Sequence, residues 1–179
     1  MSSKAYFGGG CFWCIEAVFN SIKGVSSAIS GYSGGKIANP SYEQVSGGGT
    51  GHVETVEVTF DPSIVTYDQL LSVFFSVHDP TTMDRQGGDI GDQYRSVVFY
   101  ADEDQKKQAQ FFIKNLKTEE IFSQPIVTIV EPLKDFYKAE DYHQQYYKKH
   151  PERAYCQVVI SPKLVKLKEK FQHLLQDVA

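Results

Sequence analysis

The sequence lacks the features that mark nucleic-acid-binding and membrane-spanning proteins. Basic residues are not in excess, because 18 lysines and arginines face 22 acidic residues and the formal net charge is -4. We therefore expect no basic surface for nucleic acid. No uninterrupted apolar run approaches the roughly 20 residues of a membrane span, so we expect no membrane segment. Residues 1–10 hold one lysine and no apolar stretch, which predicts a cytoplasmic protein without a signal peptide.

Cysteine is also scarce. The chain has three cysteines, with Cys11 and Cys14 near the N-terminus and Cys156 near the C-terminus. A chain of 179 residues with 41% hydrophobic content can bury a core of its own, so it needs no disulfides for stability. An odd number of cysteines in a reducing cytosol favours catalytic or metal-binding thiols. Structural zinc needs four ligands, and the five histidines form no ligand pair, so zinc is not favoured.

Short strands alternate with helices along the chain. Strands are predicted at 5–9, 25–32, 52–60, 95–100 and 126–130. Helices are predicted from Cys11 to Gly24, from a capping box formed by Thr66 and Gln69, after Asp102, at 139–150 and at 162–178. Polar loops that contain glycine separate these elements at 32–51 and 79–94, and long loops are usually functional or disordered. No repeat or long linker divides the chain, so residues 1–179 are predicted to form one domain, α/β or α+β, with helices packed on a sheet.

The stretch FGGGCFWC, residues 7–14, carries the clearest indication of chemistry. Cys11 lies at the predicted start of a helix, where unpaired N–H groups and the helix dipole favour a thiolate. The alternative is a small buried side chain, which is the usual state of a lone cysteine. Cys14 lies one helical turn later, so it can form a disulfide with Cys11 or pack inward beside Val18.

Glu54 is the second candidate. Val56, Val58 and Phe60 form the apolar face of the predicted strand, and Glu54 has the same parity. An inward carboxyl loses hydration, which raises its pKa and lets it act as a general acid near neutrality. In the alternative, Glu54 lies in water at the frayed start of the strand and has no role. Parity alone does not decide between the two.

Aromatic side chains crowd the predicted loops and helix ends. They are Phe12, Trp13, Tyr42, Tyr94, Tyr142, Tyr146 and Tyr147. Most aromatic residues in proteins belong to the core. Tyr42 and Tyr94, however, lie in polar loops rich in glycine, where a core position is harder to arrange.

Several separated motifs resemble the type A peptide methionine sulfoxide reductases. In chain order they are GGCFWC, GYSGG with NPSYEQVSGGGTGHVETVEVTFDP, GGDIGDQYRSVVFY and AEDYHQQYY, and they run from about residue 5 to about residue 156. The resemblance implies an α+β fold, a two-layer sandwich of ferredoxin-like type with a mixed sheet. It also implies an enzyme that reduces the S-epimer of methionine sulfoxide, free or in proteins, to methionine and so repairs oxidative damage.

The resemblance assigns roles to individual residues. Cys11 would be the nucleophile that attacks the sulfoxide sulfur, and Glu54 would give a proton to the sulfoxide oxygen. Tyr42 and Tyr94 would donate hydrogen bonds to that oxygen. The substrate-binding residues that it implies are Phe12 and Trp13, around the methyl group, and Asp89, at the backbone amine or amide. This agrees with the chemistry, because a sulfoxide oxygen leaves poorly unless it is protonated.

The first product on the enzyme would be a sulfenic acid on Cys11, which a second thiol converts to a disulfide. The resemblance implies a resolving cysteine in a Tyr-Cys context near the C-terminus, which Cys156 in AYCQ matches. Many family members have glycine at the position of Cys14 and a glycine-rich tail, whereas this chain continues as an apolar run and a predicted helix. We expect Cys156 to resolve first and Cys14 next, with a relay through both as the alternative. The implied reductant is thioredoxin, or dithiothreitol in vitro, with no bound cofactor and no metal.

Two other functions are compatible with the residues. One is a general disulfide oxidoreductase that uses Cys11 and Cys14, and the other is a sulfoxide- or peptide-binding module without activity. A disulfide oxidoreductase needs no buried acid such as Glu54, and a binding module needs neither an acid nor a nucleophile. We therefore expect a monomeric enzyme whose partners are oxidised proteins, free methionine sulfoxide and thioredoxin.

Overall fold

A six-stranded mixed sheet forms the centre of the computed structural model, which describes residues 1–176. Its strands are β1 (Ser3–Gly8), β2 (Val25–Ser33), β3 (Val53–Phe60), β6 (Val97–Tyr100), β7 (Ile129–Pro132) and β8 (Phe136–Lys138). A separate two-stranded sheet consists of β4 (Arg85–Gln86) and β5 (Asp89–Ile90). The helices are α1 (Phe12–Phe19), α2 (Tyr42–Ser46), α3 (Tyr67–Val77), α4 (Glu103–Thr118), α5 (Tyr146–Lys149) and α6 (Ser161–Phe171).

The strand order β7-β6-β1-β3-β2-β8 has a ferredoxin-like centre. β3 lies between β1 and β2 and is antiparallel to both, so β1 and β2 are parallel to each other. This is the split βαβ unit of the ferredoxin-like fold. β6 pairs with β1 in antiparallel fashion and with β7 in parallel, which makes the sheet mixed. The α+β fold implied by the resemblance is confirmed.

The main core lies on one face of this sheet, against the helices. Phe7 on β1 and Val56 and Val58 on β3 belong to it, together with Phe19 of α1 and Phe74 of α3. The opposite face has a smaller cluster formed by Tyr6, Val53, Val97 and Phe99. Each large apolar side chain that is buried in this way contributes roughly 1.5–3 kcal/mol to folding. The period-two alternation therefore predicts correctly which side chains of β3 lie on the sheet face that packs against α1.

Helix α1 is shorter than predicted and ends at Phe19 instead of Gly24. Asn20 closes the helix, and its side-chain oxygen accepts the backbone N–H of Ala28. Ile22 stays fully buried, but it forms an isolated antiparallel bridge with Leu175. The apolar periodicity that predicted a longer helix therefore reflects burial of Ile22 against the C-terminal segment.

The predicted helix at 139–150 is wrong as a continuous element. Its residues form a 3₁₀ turn, Asp141–His143, and the short helix α5, separated by Gln145 in a left-handed conformation with φ 54°. The N–H of Ala139 bonds to the carbonyl of Ser30, which holds the segment against β2.

The remaining boundaries differ by smaller amounts. The strand predicted at 126–130 is β7, Ile129–Pro132, and the loop at 32–51 contains α2. The loop at 79–94 contains β4, β5 and a 3₁₀ turn at Asp92–Tyr94. The predicted helix at 162–178 is α6 followed by a 3₁₀ turn that ends at Leu174, and its last two residues lie outside the described part of the chain.

Candidate active site

Cys11 lies at the N-cap position of α1, directly after the sharp turn at the end of β1. Gly10 makes this turn with φ 93°, and a Cβ atom on Gly10 would lie 2.5 Å from Cγ of Gln86. Only glycine fits a left-handed position with so close a neighbour. The side chain of Cys11 makes no capping hydrogen bond, so its thiol is available to the site.

A cavity of about 200 Å³ brings the predicted site residues together. Its lining consists of Cys11, Phe12, Trp13, Tyr42, Glu54, Asp89, Tyr94 and Tyr155. Seven of these eight are the predicted catalytic and substrate-binding residues. They come from α1, α2, β3, β5 and the Asp92–Tyr94 turn, so the site exists only in the folded chain.

Tyr155 is the lining residue that sequence reasoning missed. Its hydroxyl donates to Oδ2 of Asp89 at 2.7 Å and lies 3.7 Å from Sγ of Cys14. The signal was present in the AYCQ motif, where the tyrosine served only to identify Cys156 as a resolving cysteine. Tyr155 thus connects the acid Asp89 with the thiols.

Glu54 is buried, with 3% of its surface exposed, so the alternative that places it in water is wrong. Its Oε2 accepts the backbone N–H of Phe12 at 3.0 Å. Burial raises the pKa of Glu54 to about 8, and the negative charges of Asp89 and Cys14 add to the rise. The carboxyl is therefore protonated at neutral pH and is poised as a proton donor beside Cys11.

The pKa shifts of the two neighbouring thiols, Cys11 and Cys14, differ from those that the sequence predicts. Burial, a hydrogen bond with Cys14 and the nearby Glu54 raise the pKa of Cys11 well above its usual value. The pKa of Cys14 is lowered, chiefly by the hydrogen bond from Cys11 and also by the positive charge of Lys163. The pKa of Cys11 is therefore shifted in the direction opposite to the one that would favour the predicted thiolate, and the pKa of Cys14 is shifted in the direction that favours one. One reason is that the first N–H of α1, on Phe12, is bonded to Glu54 and not to the sulfur.

Tyr42 and Tyr94 face the same cavity. Burial raises the pKa of both phenols, and the charge of Glu54 raises each further. Both hydroxyls therefore stay protonated and can donate hydrogen bonds to an oxygen atom in the cavity.

Comparisons with known proteins identify the family. A family model described as peptide methionine sulfoxide reductase matches residues 3–175. The chain belongs to this family. Peptide methionine sulfoxide reductase MsrA of Chromobacterium violaceum is 54% identical over 174 residues, which cover 97% of this chain and 99% of the relative. The chain is therefore a methionine sulfoxide reductase of type A, which is an oxidoreductase.

Solved structures agree with this family and fold. Methionine sulfoxide reductase A of Corynebacterium diphtheriae superposes with a TM-score of 0.80 at 36% identity, covering 84% of this chain and 76% of that chain. Mxr1 from Saccharomyces cerevisiae in complex with Trx2 superposes with a TM-score of 0.56 at 24% identity, covering 81% of this chain and 84% of that chain. At that identity the second likeness concerns the fold alone.

An aromatic wall closes one side of the reductase cavity. The ring of Tyr146 stacks on Trp13 with centroids 3.7 Å apart and planes 5° apart. The indole N–H of Trp13 donates to Nδ1 of His143 at 3.0 Å. Both partners belong to AEDYHQQYY, a motif that marked the family in the sequence without a role for its residues.

Glu140 from the same motif supports further residues of the cavity lining. Its two carboxylate oxygens accept the N–H of Tyr42 at 2.8 Å and the hydroxyl of Tyr32 at 2.9 Å. The Tyr32 ring in turn packs 5.7 Å from the ring of Phe12. The segment that contains β8 and α5 thus supports the lining of the cavity through contacts that lie outside the cavity itself.

Cys156, the predicted first resolving residue, does not line the cavity of the reductase. It begins a π-helical turn, Cys156–Ile160, that continues into α6, and it is fully buried against Cys14 and Ile160. Burial raises the pKa of the Cys156 thiol. All three cysteines are free thiols, and all three belong to or pack against the same apolar cluster.

No group of three or more metal-ligating side chains occurs within residues 1–176. None of the helices in that range has the length and apolar character to cross a membrane.

Proposed function

We propose that this methionine sulfoxide reductase acts on the S-epimer of methionine sulfoxide, free or in proteins, with Cys11 as nucleophile and Glu54 as general acid. The observation that carries the proposal is a protonated, buried carboxyl in the same cavity as the Cys11 thiol. A thiol that attacks a sulfoxide needs a proton on the departing oxygen, and Glu54 is a carboxyl that is still protonated at neutral pH.

The first step transfers oxygen from substrate to enzyme. Tyr42 and Tyr94 hydrogen-bond the sulfoxide oxygen while Glu54 protonates it, and Sγ of Cys11 attacks the sulfur. The substrate S–O bond then breaks and the hydroxyl passes to Sγ of Cys11 as the new bond between the two sulfurs opens, so that the substrate sulfur is reduced to a thioether and Cys11 is oxidised to a sulfenic acid. The proton that leaves the Cys11 thiol replaces the one that Glu54 gives.

The aromatic wall and Asp89 bind the rest of the substrate. Phe12 and Trp13 offer apolar surface to the methyl group beside the reacting sulfur. Asp89 reaches the cavity from β5 and is held by the hydroxyl of Tyr155, so it can accept a backbone N–H of a peptide substrate. This arrangement suits methionine sulfoxide both as a free amino acid and within an oxidised protein.

Geometry favours Cys14, not Cys156, as the first resolving residue. Cys14 lies on the first turn of α1, its N–H bonds to the Cys11 carbonyl at 3.1 Å, and the two residues belong to the same apolar cluster. The Cys14 sulfur attacks the sulfenic sulfur, a disulfide forms and water leaves. Cys156, in contact with Cys14, then attacks Cys14 and releases the Cys11 thiol. This relay runs in the opposite order to the one expected from the resemblance.

An external dithiol then opens the last disulfide. Thioredoxin is the physiological reductant that the resemblance implies, and the family match over residues 3–175 supports it. We propose that the enzyme is a monomer, and that it works in a reducing compartment such as the cytoplasm, which suits a thiol enzyme with an odd number of cysteines.

A two-epimer assay tests the proposed substrate. Methionine S-sulfoxide and methionine R-sulfoxide are supplied separately with dithiothreitol, and the methionine that forms is measured. The wild type should consume only the S-epimer, and Cys11→Ser should consume neither. Equal turnover of both epimers would contradict the stereochemical assignment.

Single-turnover disulfide mapping tests the relay. One equivalent of methionine S-sulfoxide is added without reductant, and the disulfides are located by mass spectrometry. Cys156→Ser should form the Cys11–Cys14 disulfide at the wild-type rate, whereas Cys14→Ser should accumulate the sulfenic acid. Loss of disulfide formation in Cys156→Ser alone would restore Cys156 as the first resolving residue.

A further inference from the structure

Glu16 is a buried acid for which the reaction has no use. It lies on α1 with 1% of its surface exposed, and it is not part of the lining of the catalytic cavity. Its Oε1 accepts the backbone N–H of Gln145 at 3.0 Å. Burial raises the pKa of Glu16 to about 7, while bonds from the N–H groups of Gln145 and Tyr146 oppose the rise. A carboxyl in such a place costs desolvation free energy, which these bonds offset.

Helix α5, which begins directly after Gln145, is too short to be stable by itself. α5 has four residues, and isolated helices this short are unstable in water. Its N-cap residue, Gln145, has a left-handed backbone with φ 54°, and its side chain makes no capping bond. The free N–H groups at the start of the helix therefore need an acceptor from elsewhere in the chain. Glu16 supplies that acceptor from α1.

α5 carries the residue that backs the methyl pocket. Tyr146, its first residue, stacks face to face on Trp13, and His143 just before it accepts the indole N–H. Trp13 and Glu16 are three residues apart on α1, so they lie on the same side of the helix. One face of α1 thus holds both the Trp13 ring and the carboxylate that anchors the helix stacked on it.

We propose that Glu16 is a positioning residue for the substrate pocket, and that it clamps α5 to α1 so that Tyr146 and His143 hold the Trp13 ring in place. The inference rests on the proposed role of Trp13 as part of the methyl pocket. It predicts that loss of the clamp weakens substrate binding more than it slows the chemical step. Trp13 is the one tryptophan of the chain, so its fluorescence reports the state of the pocket directly.

The test compares Glu16→Ala with Glu16→Gln, which keeps one acceptor oxygen. In Glu16→Ala the Trp13 emission maximum should shift to the red, and acrylamide quenching should increase. KM for methionine S-sulfoxide should rise about tenfold with kcat nearly unchanged, because a misfit of methyl-group size in an apolar pocket changes substrate discrimination by about 10-fold or more. Glu16→Gln should restore most of both properties.

Glu57→Gln is the matched control. Glu57 is also a buried carboxyl with hydrogen-bond partners, but it lies on the other face of the sheet, away from the cavity. Its variant should leave the Trp13 emission and KM at wild-type values even if its melting temperature falls. Tyr146→Ala should reproduce the Glu16→Ala phenotype, and the double variant should be no worse than Tyr146→Ala, because both substitutions remove the same stack.

The proposal is overturned if Glu16→Ala lowers the melting temperature but leaves the Trp13 emission and KM unchanged, since Glu16 would then be only structural. If Glu16→Ala does not fold, Glu16→Asp shortens the side chain by one methylene group and should give the same shift, and wild-type behaviour there overturns the proposal. Fluorescence needs no turnover. A wild type that is inactive on methionine S-sulfoxide would therefore contradict the proposed function. The emission spectra of the variants would still show whether Glu16 holds α5 against Trp13.

Discussion

The two faces of the central sheet hold a buried carboxyl in contrasting ways. On the face toward α1, Glu54 accepts a backbone N–H, and its pKa is raised to about 8 by burial. On the opposite face, Glu57, three residues later on the same strand, accepts the ammonium group of Lys4 at 3.0 Å and the hydroxyl of Tyr6 at 2.8 Å. Desolvation of Glu54 outweighs its single N–H partner and makes this carboxyl an acid, whereas Glu57 lies beside a cation and forms an ion pair. The partner, and not the residue type, decides between chemistry and structure.

The largest effect is expected when the acid on the α1 face is removed. Glu54→Gln keeps the volume of the side chain and an oxygen that can accept the N–H of Phe12, but it cannot donate a proton in the same way. We expect kcat for methionine S-sulfoxide to fall about 100-fold or more, because general acid catalysis typically contributes 10²–10⁴-fold. Glu57→Gln, the same change on the other face, should keep the wild-type kcat. A loss smaller than tenfold in Glu54→Gln would show that another group donates the proton.

The pH dependence of the reaction provides the next test. Since the pKa of Glu54 is about 8, kcat/KM should fall about tenfold per pH unit above pH 8, as the free enzyme loses the acidic proton. This limb should be absent from the residual activity of Glu54→Gln. The dithiothreitol concentration is kept saturating so that the reductant does not limit the rate. A wild-type profile that is flat up to pH 9 would contradict the assignment.

Stability should depend on pH in a related way. The pKa of Glu54 is raised from 4.5 to about 8 by folding, so the folded state holds the proton more tightly than the unfolded state. The contribution of the protonated carboxyl is fully present below pH 4.5 and is lost as the pH rises through 8. We expect the wild type to lose a few kcal/mol relative to Glu54→Gln over this range, at roughly 1.4 kcal/mol per unit of pKa shift. Urea denaturation at several pH values measures the difference, and parallel curves for the two proteins would contradict it.

The smallest effect is expected when the ion pair on the opposite face is broken. In Lys4→Met, Glu57 loses a partner whose side chain is 53% exposed, so the free energy of unfolding should fall by about 1 kcal/mol or less. Tyr6→Phe removes a buried hydroxyl bond and should cost about 1 kcal/mol. Urea denaturation measures both, and kcat should remain at the wild-type value. A large loss of activity in either variant would show that the two faces are coupled.

The local part of this architecture is predictable from the sequence. The alternation in β3 correctly places Glu54 with Val56 and Val58 on one face, and the Thr66–Gln69 capping box is present at the start of α3. These features depend on neighbours within a few residues. The break in the predicted helix at 139–150 is not local, because it depends on Ser30 of β2 and on the carboxylate of Glu16. The periodicity of residues 139–150 gives no information about either partner, because both lie far away in the chain.

The sequence by itself determined where the reactive groups stand. It placed Cys11 at the start of a helix and Glu54 on the inward face of a strand, and its motifs identified the family. Only the tertiary structure decided the direction in which their pKa values shift. The pKa of Cys14 is lowered, chiefly by the hydrogen bond from Cys11 and also by the charge of Lys163, while burial raises the pKa of Cys11 and of Glu54. Desolvation and hydrogen bonding depend on groups that are distant in the chain, so they are settled only when the chain has folded.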